Sequence, residues 1–167
     1  VDGSTYPHQY VNFETGKLSL QGTYAHKFNA RNNIQAGFFY EHTSFNTLFK
    51  EMDPGQPDRV FEDQKGALTL GQAFVQWKHR FSQGLSLVSG VHAQYLDINN
   101  SFAAEPRAAL RYSLNARNAF SIGYGMHNQA QNVYNYYVRT ATPSGVAYTN
   151  KNLDFTRSQH IIAGYDY

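Results

Sequence analysis

Three stretches of the chain follow the same plan: alternating polar and aromatic residues end at Phe or Leu, a short Asn/Gly-type turn follows, and alternation resumes. The turns fall at residues 29–33, 82–84 and 115–119. Much longer polar connections, at residues 51–66 and 140–152, join the strands at their other ends. Short turns at one end of long alternating strands and long loops at the other are typical of the wall of an outer-membrane β-barrel.

The alternation places two kinds of side chain on opposite faces of a sheet. The apolar set of the first clear strand is Leu18, Leu20, Tyr24 and Phe28. About seven antiparallel strands are predicted, because the pattern recurs in six later stretches, near residues 34–49, 72–81, 85–95, 107–114, 120–127 and 155–167. We expect the apolar face to contact lipid and the polar face to line an aqueous lumen. Residues 1–16 are predicted as a loop with a short strand at residues 10–13.

Composition narrows the possible classes of protein. No run of about 18 apolar residues exists, which excludes a helical membrane protein. Mean hydropathy is −0.56 although 16% of the residues are aromatic, and a barrel is compatible with both values because its strands hide their lipid-facing half in an alternating pattern. The absence of Cys excludes disulfides, thiolate zinc sites and a cysteine nucleophile. A net charge of +2 with scattered basic residues gives no support for nucleic acid as a partner.

The 167 residues are interpreted as one segment of a larger structure. Bacterial single-chain barrels close with an even number of strands, at least eight, and leave no strand edge in lipid. No signal peptide opens the chain, and the last strand stops in mid-pattern at Tyr167. We therefore expect residues 1–167 to form part of a longer barrel wall.

Four phrases of the chain support a more specific interpretation. They are residues 105–112 (EPRAALRY), 121–129 (SIGYGMHNQ), 150–158 (NKNLDFTRS) and 160–167 (HIIAGYDY). In order and spacing, residues 18–167 resemble the later, C-terminal-side part of the barrel of Bacteroidetes-type TonB-dependent outer-membrane receptors.

The resemblance implies a 22-stranded barrel in the bacterial outer membrane, with an N-terminal plug domain, that imports a nutrient ligand when energised by TonB. The plug and the TonB box are absent from this segment. The implied partners are outer-membrane lipid, the rest of the barrel and its plug, TonB and a surface lipoprotein. Neither a cofactor nor an enzymatic activity is implied, and the substrate is left open.

A ring of aromatic and His side chains is predicted where the strands meet the short turns. His26 and His79 occupy matching positions before an aromatic residue, and Tyr112 takes that place in the third repeat. Amphipathic rings are stable at a membrane–water interface, whereas a metal site would need convergent ligands that the spacing does not offer. We therefore predict no metal and an interface girdle made of Tyr24, His26, Phe28, Trp77, His79, Phe81 and Tyr112.

Three basic side chains are predicted to point into the lumen. Arg107 and Arg111 share the polar face of one strand, and His127 lies on the polar face of the next. They are candidates for contact with ligand or plug, although ordinary lumen charge paired with acidic groups explains the same pattern.

The segment around Tyr134, Tyr136 and Tyr137 is the other candidate for ligand contact. Tyr with Asn offers flat stacking faces and adaptable hydrogen bonds, which suit sugars or peptides. Alternating Tyr is equally typical of a strand top in an outer aromatic girdle. The loops at residues 51–66 and 140–152 are expected to help capture the ligand.

Two other classes of protein remain open from the sequence. A small complete eight-stranded outer-membrane barrel, acting as an adhesin, a structural protein or a lipid-modifying enzyme, would need one more strand from residues 1–16. A soluble all-β binding module would need only the alternation. Hydrolytic chemistry has little support, because no carboxylate pair or nucleophile elbow is recognisable.

Overall fold

The computed structural model describes residues 8–53 and 55–167, and its main feature is one antiparallel sheet of seven strands in which sequence neighbours pair. The elements in chain order are β1 (Gln9–Lys27), β2 (Asn32–Glu51), β3 (Arg59–Arg80), β4 (Leu85–Leu96), β5 (Ser101–Ser113), β6 (Ala119–Gln129), α1 (Val133–Tyr136), β7 (Arg139–Thr142), β8 (Gly145–Tyr148) and β9 (Thr156–Asp166). β9 pairs with β6, and β7 and β8 form a separate hairpin. The prediction of about seven antiparallel wall strands is confirmed.

The three short turns lie at the same end of the sheet, here called the turn end, and are closed by their own side chains. Asn29 Oδ1 accepts hydrogen bonds from the backbone N–H groups of Arg31 and Asn32 at 2.8 and 2.9 Å. The Asn115 turn, which has the same Asn-Ala-Arg-Asn sequence, repeats these bonds. Ser82 Oγ replaces the Asn oxygen in the middle turn. Such side-chain bonds fix the turn and hence the register of each hairpin.

The register forms continuous apolar rows across the sheet. Leu110 of β5 pairs with Leu87 of β4 and Ile122 of β6, and Ile122 pairs with Ala163 of β9. Directly paired residues share a face, so these side chains form one row across four strands. Leu110 and Ile122 are exposed. We call this side the apolar face and the other the polar face.

The apolar side chains change faces in the long strands, towards the loop end opposite the turns. In β1, Leu18 lies on the apolar face, whereas Phe13 is paired with Thr47 on the polar face. In β2, Tyr40 lies on the apolar face, whereas Phe45 lies on the polar face and is only 4% exposed. The alternation therefore reverses its phase between the two ends of the same strand.

The reversed side chains form a small hydrophobic core with the insert, defined as residues 130–155 between β6 and β9. The buried members of this core are Phe45, Leu68, Leu96, Val133 and Tyr136. The core thus lies at the loop end, where the insert packs against the polar face. Separately, among the described residues, no helix is long and apolar enough to cross a membrane.

The structure differs from the sequence-based interpretation in four places. Residues 10–16 belong to the continuous strand β1, and β3 begins at Arg59, which shortens the predicted 51–66 connection. Tyr134 and Tyr136 lie in a short helix and not at a strand top, and the predicted 140–152 loop contains the β7–β8 hairpin. The phase reversal explains the strand errors, because a change of face within one strand looks like a break in sequence. Residues 1–7 of the predicted first loop lie outside the described residues.

Candidate ligand-binding cleft

An open cleft of about 510 Å³ lies between the polar face and the insert. Its floor is formed by side chains that the strand register brings together on β3, β4 and β5. On its loop-end side lies Tyr134 of the insert. The polar residues that line the floor are Gln72, His92, Gln94, Glu105 and Arg107.

Glu105 is the centre of the polar network in this cleft. Its side chain is 1% exposed, and Arg107 Nη2 donates a hydrogen bond to its Oε2 atom at 2.6 Å. His92 Nδ1 lies 2.9 Å from the same oxygen. The Oε1 atom accepts hydrogen bonds from the backbone N–H of Asn128, at 2.6 Å, and from the Gln94 amide. A buried carboxylate is tolerated only with such partners, so Glu105 ties β4, β5 and β6 together.

The network continues from Glu105 in two directions. Arg107 Nη2 also donates to His127 Nδ1 at 3.2 Å, and Gln72 Nε2 donates to Gln94 Oε1 at 3.1 Å. Gln94 Nε2 donates to the backbone oxygen of Asn128 at 2.8 Å. The side chain of Arg107 is 45% exposed. Its guanidinium is therefore oriented by Glu105 and still reaches the open cleft.

Charges of both signs face each other across the cleft. On the β1–β2 side, Lys17 Nζ lies 2.7 Å from Glu41 Oε2, and both residues line the cleft. This pair lies opposite Arg107 and Glu105, and amide groups lie between the two pairs. Such a surface offers donors and acceptors over its whole width, which suits a polar ligand with many functional groups.

A second hollow, also of about 510 Å³, extends from the cleft towards the turn end. It shares His92, Arg107 and His127 with the first and adds apolar side chains such as Phe74 and Ile162. The shared residues therefore lie where a polar cleft meets a more apolar one.

The three tyrosines predicted to contact ligand have different environments. Tyr137 Oη donates to the backbone oxygen of Ala67 at 2.8 Å and accepts from its N–H at 3.1 Å. Tyr136 is fully buried, and its Oη accepts from the N–H of Gln131 at 3.1 Å. Burial raises the pKa of Tyr136, so this hydroxyl stays protonated at neutral pH. Both residues hold the insert to the sheet.

Tyr134 alone of the three lines the cleft. Its Oη lies 2.8 Å from Thr15 Oγ1, and its ring packs edge-on against Phe45 with centroids 4.7 Å apart. The structure thus brings Tyr134 together with Arg107 and His127 but places Tyr136 and Tyr137 behind them. Contact of these residues with a ligand stays a prediction.

Arg111 lies away from the cleft. It shares the polar face with Arg107, but it forms an ion pair with Asp166 of β9 at 2.5 Å, near the turn end. This pairing corresponds to the alternative in which a basic side chain of the polar face is paired with an acidic group of another strand, here β9, which lies beyond β6 in the sheet.

Six of the seven predicted girdle residues form two ring clusters next to the turns, and Tyr112 lies in β5 beside the third turn. His26 packs edge-on against Phe28, and His79 against Phe81, each with centroids 4.5 Å apart. Tyr24 and Trp77 extend these clusters, and Tyr112 is paired with Phe120 of β6. Asn32 Oδ1 lies 2.7 Å from His79 Nδ1 and accepts from Trp77 Nε1 at 3.2 Å. Their lipid contact stays a prediction.

Sequence reasoning missed Glu105, Gln94 and Asn32. Glu105 and Arg107 form an i, i+2 pair on the polar face of one strand, so a Glu-x-Arg pattern at alternating spacing was a usable signal. The burial of Glu105 had no signal, because it depends on Asn128 at the far end of β6. Within residues 8–53 and 55–167, no group of three or more His, Asp or Glu side chains could hold a metal ion.

Comparison with solved structures found a similar fold in the siderophore receptor PirA from Pseudomonas aeruginosa. The match has a TM-score of 0.51 at 16% sequence identity and covers 97% of this chain but 40% of that one. No protein-family profile and no curated protein matches the chain. A likeness at this identity shows the fold alone, and it agrees with the predicted antiparallel wall of an outer-membrane receptor barrel.

Proposed function

We propose that the chain is a section of the wall of a TonB-dependent outer-membrane receptor, of the Bacteroidetes type, that imports a nutrient ligand. The observation that carries this proposal is the band of apolar side chains on one face of all seven strands, with a hydrogen-bonded network of charges on the other. A wall between lipid and an aqueous interior needs an apolar face and a polar face in the same part of each strand. The apolar face is open in the described part of the chain, since Leu18, Val91 and Ile122 are exposed. The fold shared with a siderophore receptor supports the receptor class.

The edges of the sheet support a larger barrel. Among the described residues, β1 and β9 each have one neighbour in the sheet. In lipid, unpaired strand edges are not tolerated. Further strands of the full barrel are therefore the proposed partners of these edges, with a plug domain inside, TonB on the periplasmic side and a surface lipoprotein on the outside.

The proposed role of the cleft is to bind the imported ligand without catalysis. Arg107, His127 and Tyr134 present charge, imidazole and an aromatic ring to one open space. The insert covers the loop end of this space, where a ligand arriving from outside would enter. The chemistry favours a polar ligand, such as a sugar or a peptide, over an apolar one.

Spin labels on adjacent residues test the membrane orientation in the full-length protein, after replacement of any Cys outside this Cys-free segment. Ala108 lies on the apolar face of β5 and Ala109 on the polar face, so Ala108→Cys and Ala109→Cys form a matched pair. We expect a label at 108 to be more accessible to oxygen than to a water-soluble nickel complex, and a label at 109 to lack this preference. Equal accessibility at both positions would contradict a lipid-facing wall.

Binding to TonB tests the receptor class. Full-length protein in detergent should retain the purified periplasmic domain of TonB, and a variant without its TonB box should not. Failure of the full-length protein to retain this domain would reject energised import while leaving the membrane orientation intact.

A further inference from the structure

The fold sorts the charges of the chain along the strand axis. Of the 14 Lys and Arg residues, six lie at the turn end, whereas one of the 11 acidic residues within residues 8–53 and 55–167 accompanies them. The six are Lys27, Arg31, Lys78, Arg80, Arg111 and Arg117. The acidic residue, Asp166, is already paired with Arg111 at 2.5 Å. Basic residues that look scattered in sequence are thus gathered at one end of the sheet.

Four of these cations surround one hollow of about 250 Å³ between the first two turns. We call it the cationic pocket, and its basic members are Lys27, Arg31, Lys78 and Arg80. Within the described part of the chain, none of the four lies within 4 Å of a carboxylate. Four uncompensated positive charges around one hollow repel one another, so an anionic occupant would stabilise the arrangement.

The spacing of the cations indicates an extended occupant. Asn33 pairs with Lys27 on one side and with Lys78 on the other. The backbones of the two lysines are therefore two strand spacings apart, about 10 Å. Arg80 donates its N–H to the backbone oxygen of Arg31 at 2.8 Å, which fixes a second pair of cations beside the first. A chain with carboxylates on alternate residues, about 7 Å apart, spans such a row better than a single phosphate.

The walls of the pocket are preformed. The Asn29 turn is closed by its own side chain, and Asn32 is bonded to both Trp77 and His79 on the neighbouring strand. Little backbone ordering is then required when an occupant binds, and preorganisation favours affinity.

The face on which the cations lie decides what can reach them. Along residues 77–80 of β3 the two faces alternate. Lys78 and Arg80 lie on the polar face, whereas Trp77 and His79 lie on the apolar face. A lipid headgroup would approach from the Trp77 side. An occupant that contacts Lys78 and Arg80 approaches from the polar face, which lines the lumen under the proposed function.

We propose that the cationic pocket binds an acidic polypeptide segment lying inside the barrel, at its turn-end mouth. This inference rests on the proposed function, under which that segment belongs to the plug domain of the same protein. The contact anchors the segment against the first two hairpins through Lys27, Arg31, Lys78 and Arg80.

Photo-crosslinking in the full-length protein in its native membrane tests this proposal. The photoreactive residue p-benzoylphenylalanine is placed at Lys78 or, as the matched control, at the adjacent Trp77. Mass spectrometry should map the cross-link from position 78 to an Asp- or Glu-containing peptide of the same protein, and that from position 77 to phospholipid. A cross-link from position 78 to lipid, to another protein or to a peptide without acidic residues, or no cross-link there, would overturn the proposal.

The two identical turns supply a control for charge. Arg31 lines the pocket, whereas Arg117 occupies the same place in the Asn115 turn outside it. Arg31→Glu should lower the cross-link yield from position 78 about fivefold, and the milder Arg31→Gln should lower it less, while Arg117→Glu leaves it unchanged. Equal effects of Arg31→Glu and Arg117→Glu would overturn the proposal. Lipid cross-linking from position 77 verifies that each variant is inserted in the membrane. If position 77 gives no lipid cross-link even when Arg31 and Arg117 are both retained, the proposed function itself is rejected.

Discussion

The long strands β1–β3 and the short strands β4–β6 and β9 share the alternation of apolar and polar residues, but they differ in length and in where their apolar side chains lie. β2 and β3 contain 20 and 22 residues, whereas β6 and β9 contain 11 each. A tilted strand crosses the hydrocarbon with about 9 to 11 residues. The long strands therefore extend roughly ten residues, or about 30 Å of strand, beyond the height at which the short ones end.

The difference between the two regions lies in where apolar side chains are directed. In the short strands the row that contains Leu110 and Ile122 keeps to the apolar face, and Leu96, at the loop end of β4, joins the core on the polar face. In the extension of the long strands they turn to the polar face, where Phe45 is buried beneath the insert. The proposed function places the outer side of the extension in water, so apolar side chains there need protein to cover them, and the insert covers Phe45 on the polar face. Under the proposed function, the phase reversal marks where the membrane ends.

The largest effect is expected from Phe45→Ala, which tests the core of the extension. Truncation of a buried Phe costs about 3–5 kcal/mol. We expect the insert to open locally, with faster hydrogen exchange over residues 130–155 in the full-length protein. Phe13→Ala, on the same face but 60% exposed, is the control and should change exchange little. Equal effects of the two variants would contradict a specific core.

Glu105→Ala tests the network in the short strands. It leaves Arg107 and His92 without their buried partner, and breaking such a group costs about 3–5 kcal/mol. The control is Glu41→Ala, which removes a carboxylate paired with the more exposed Lys17 and should cost at most about 1 kcal/mol. Urea unfolding of the full-length protein in lipid bilayers measures both. A Glu105 variant as stable as the Glu41 variant would contradict the central role of Glu105.

Val91→Arg tests the lipid-facing band itself. Val91 lies in the middle of β4 on the apolar face, and Arg near the bilayer midplane costs about 2–4 kcal/mol. Ser44→Arg places the same side chain on the outer side of the extension of β2, where we expect a change within about 0.5 kcal/mol. The same unfolding experiment applies. If Ser44→Arg lowers the free energy of unfolding more than Val91→Arg does, the extension does not stand in water.

Tyr137→Phe should have the smallest effect. The missing hydroxyl leaves the Ala67 peptide group without its side-chain partner, at about 1–2 kcal/mol. Tyr148→Phe, in the β7–β8 hairpin, is the control with the same chemical change and no expected effect. Hydrogen exchange of the insert should separate the two. Equal protection in both variants would show that the Tyr137 hydroxyl does not anchor the insert.

The part of the fold that depends on local signals was predictable from sequence. Alternation identified the strands on either side of each short turn, and it placed Arg107, Arg111 and His127 on the polar face. The continuation of β2 to residue 49 was predicted, whereas residues 10–16 of β1 and the first part of β3 were assigned to loops. The apolar residues change faces there, and the usual criterion treats a change of phase as the end of a strand.

The cleft was only partly predictable, because its geometry depends on contacts between distant segments. The carboxylate of Glu105 accepts a hydrogen bond from the backbone N–H of Asn128. The hydroxyl of Tyr137 donates to the backbone oxygen of Ala67, 70 residues earlier. Nothing near Tyr134 to Tyr137 in sequence distinguishes a strand top from a folded insert. The register that brings these groups together is a property of the whole sheet.

The self-closing turns have an evolutionary consequence. Because the side-chain bonds that close the Asn29 and Asn115 turns come from within each turn, the residues that reverse the chain direction lie in the hairpin itself. A gene encoding such a wall can lengthen by copying one hairpin at a time, without redesign of its neighbours. Residues 29–32 and 115–118 share the sequence Asn-Ala-Arg-Asn, so the same four residues serve two different hairpins of this wall.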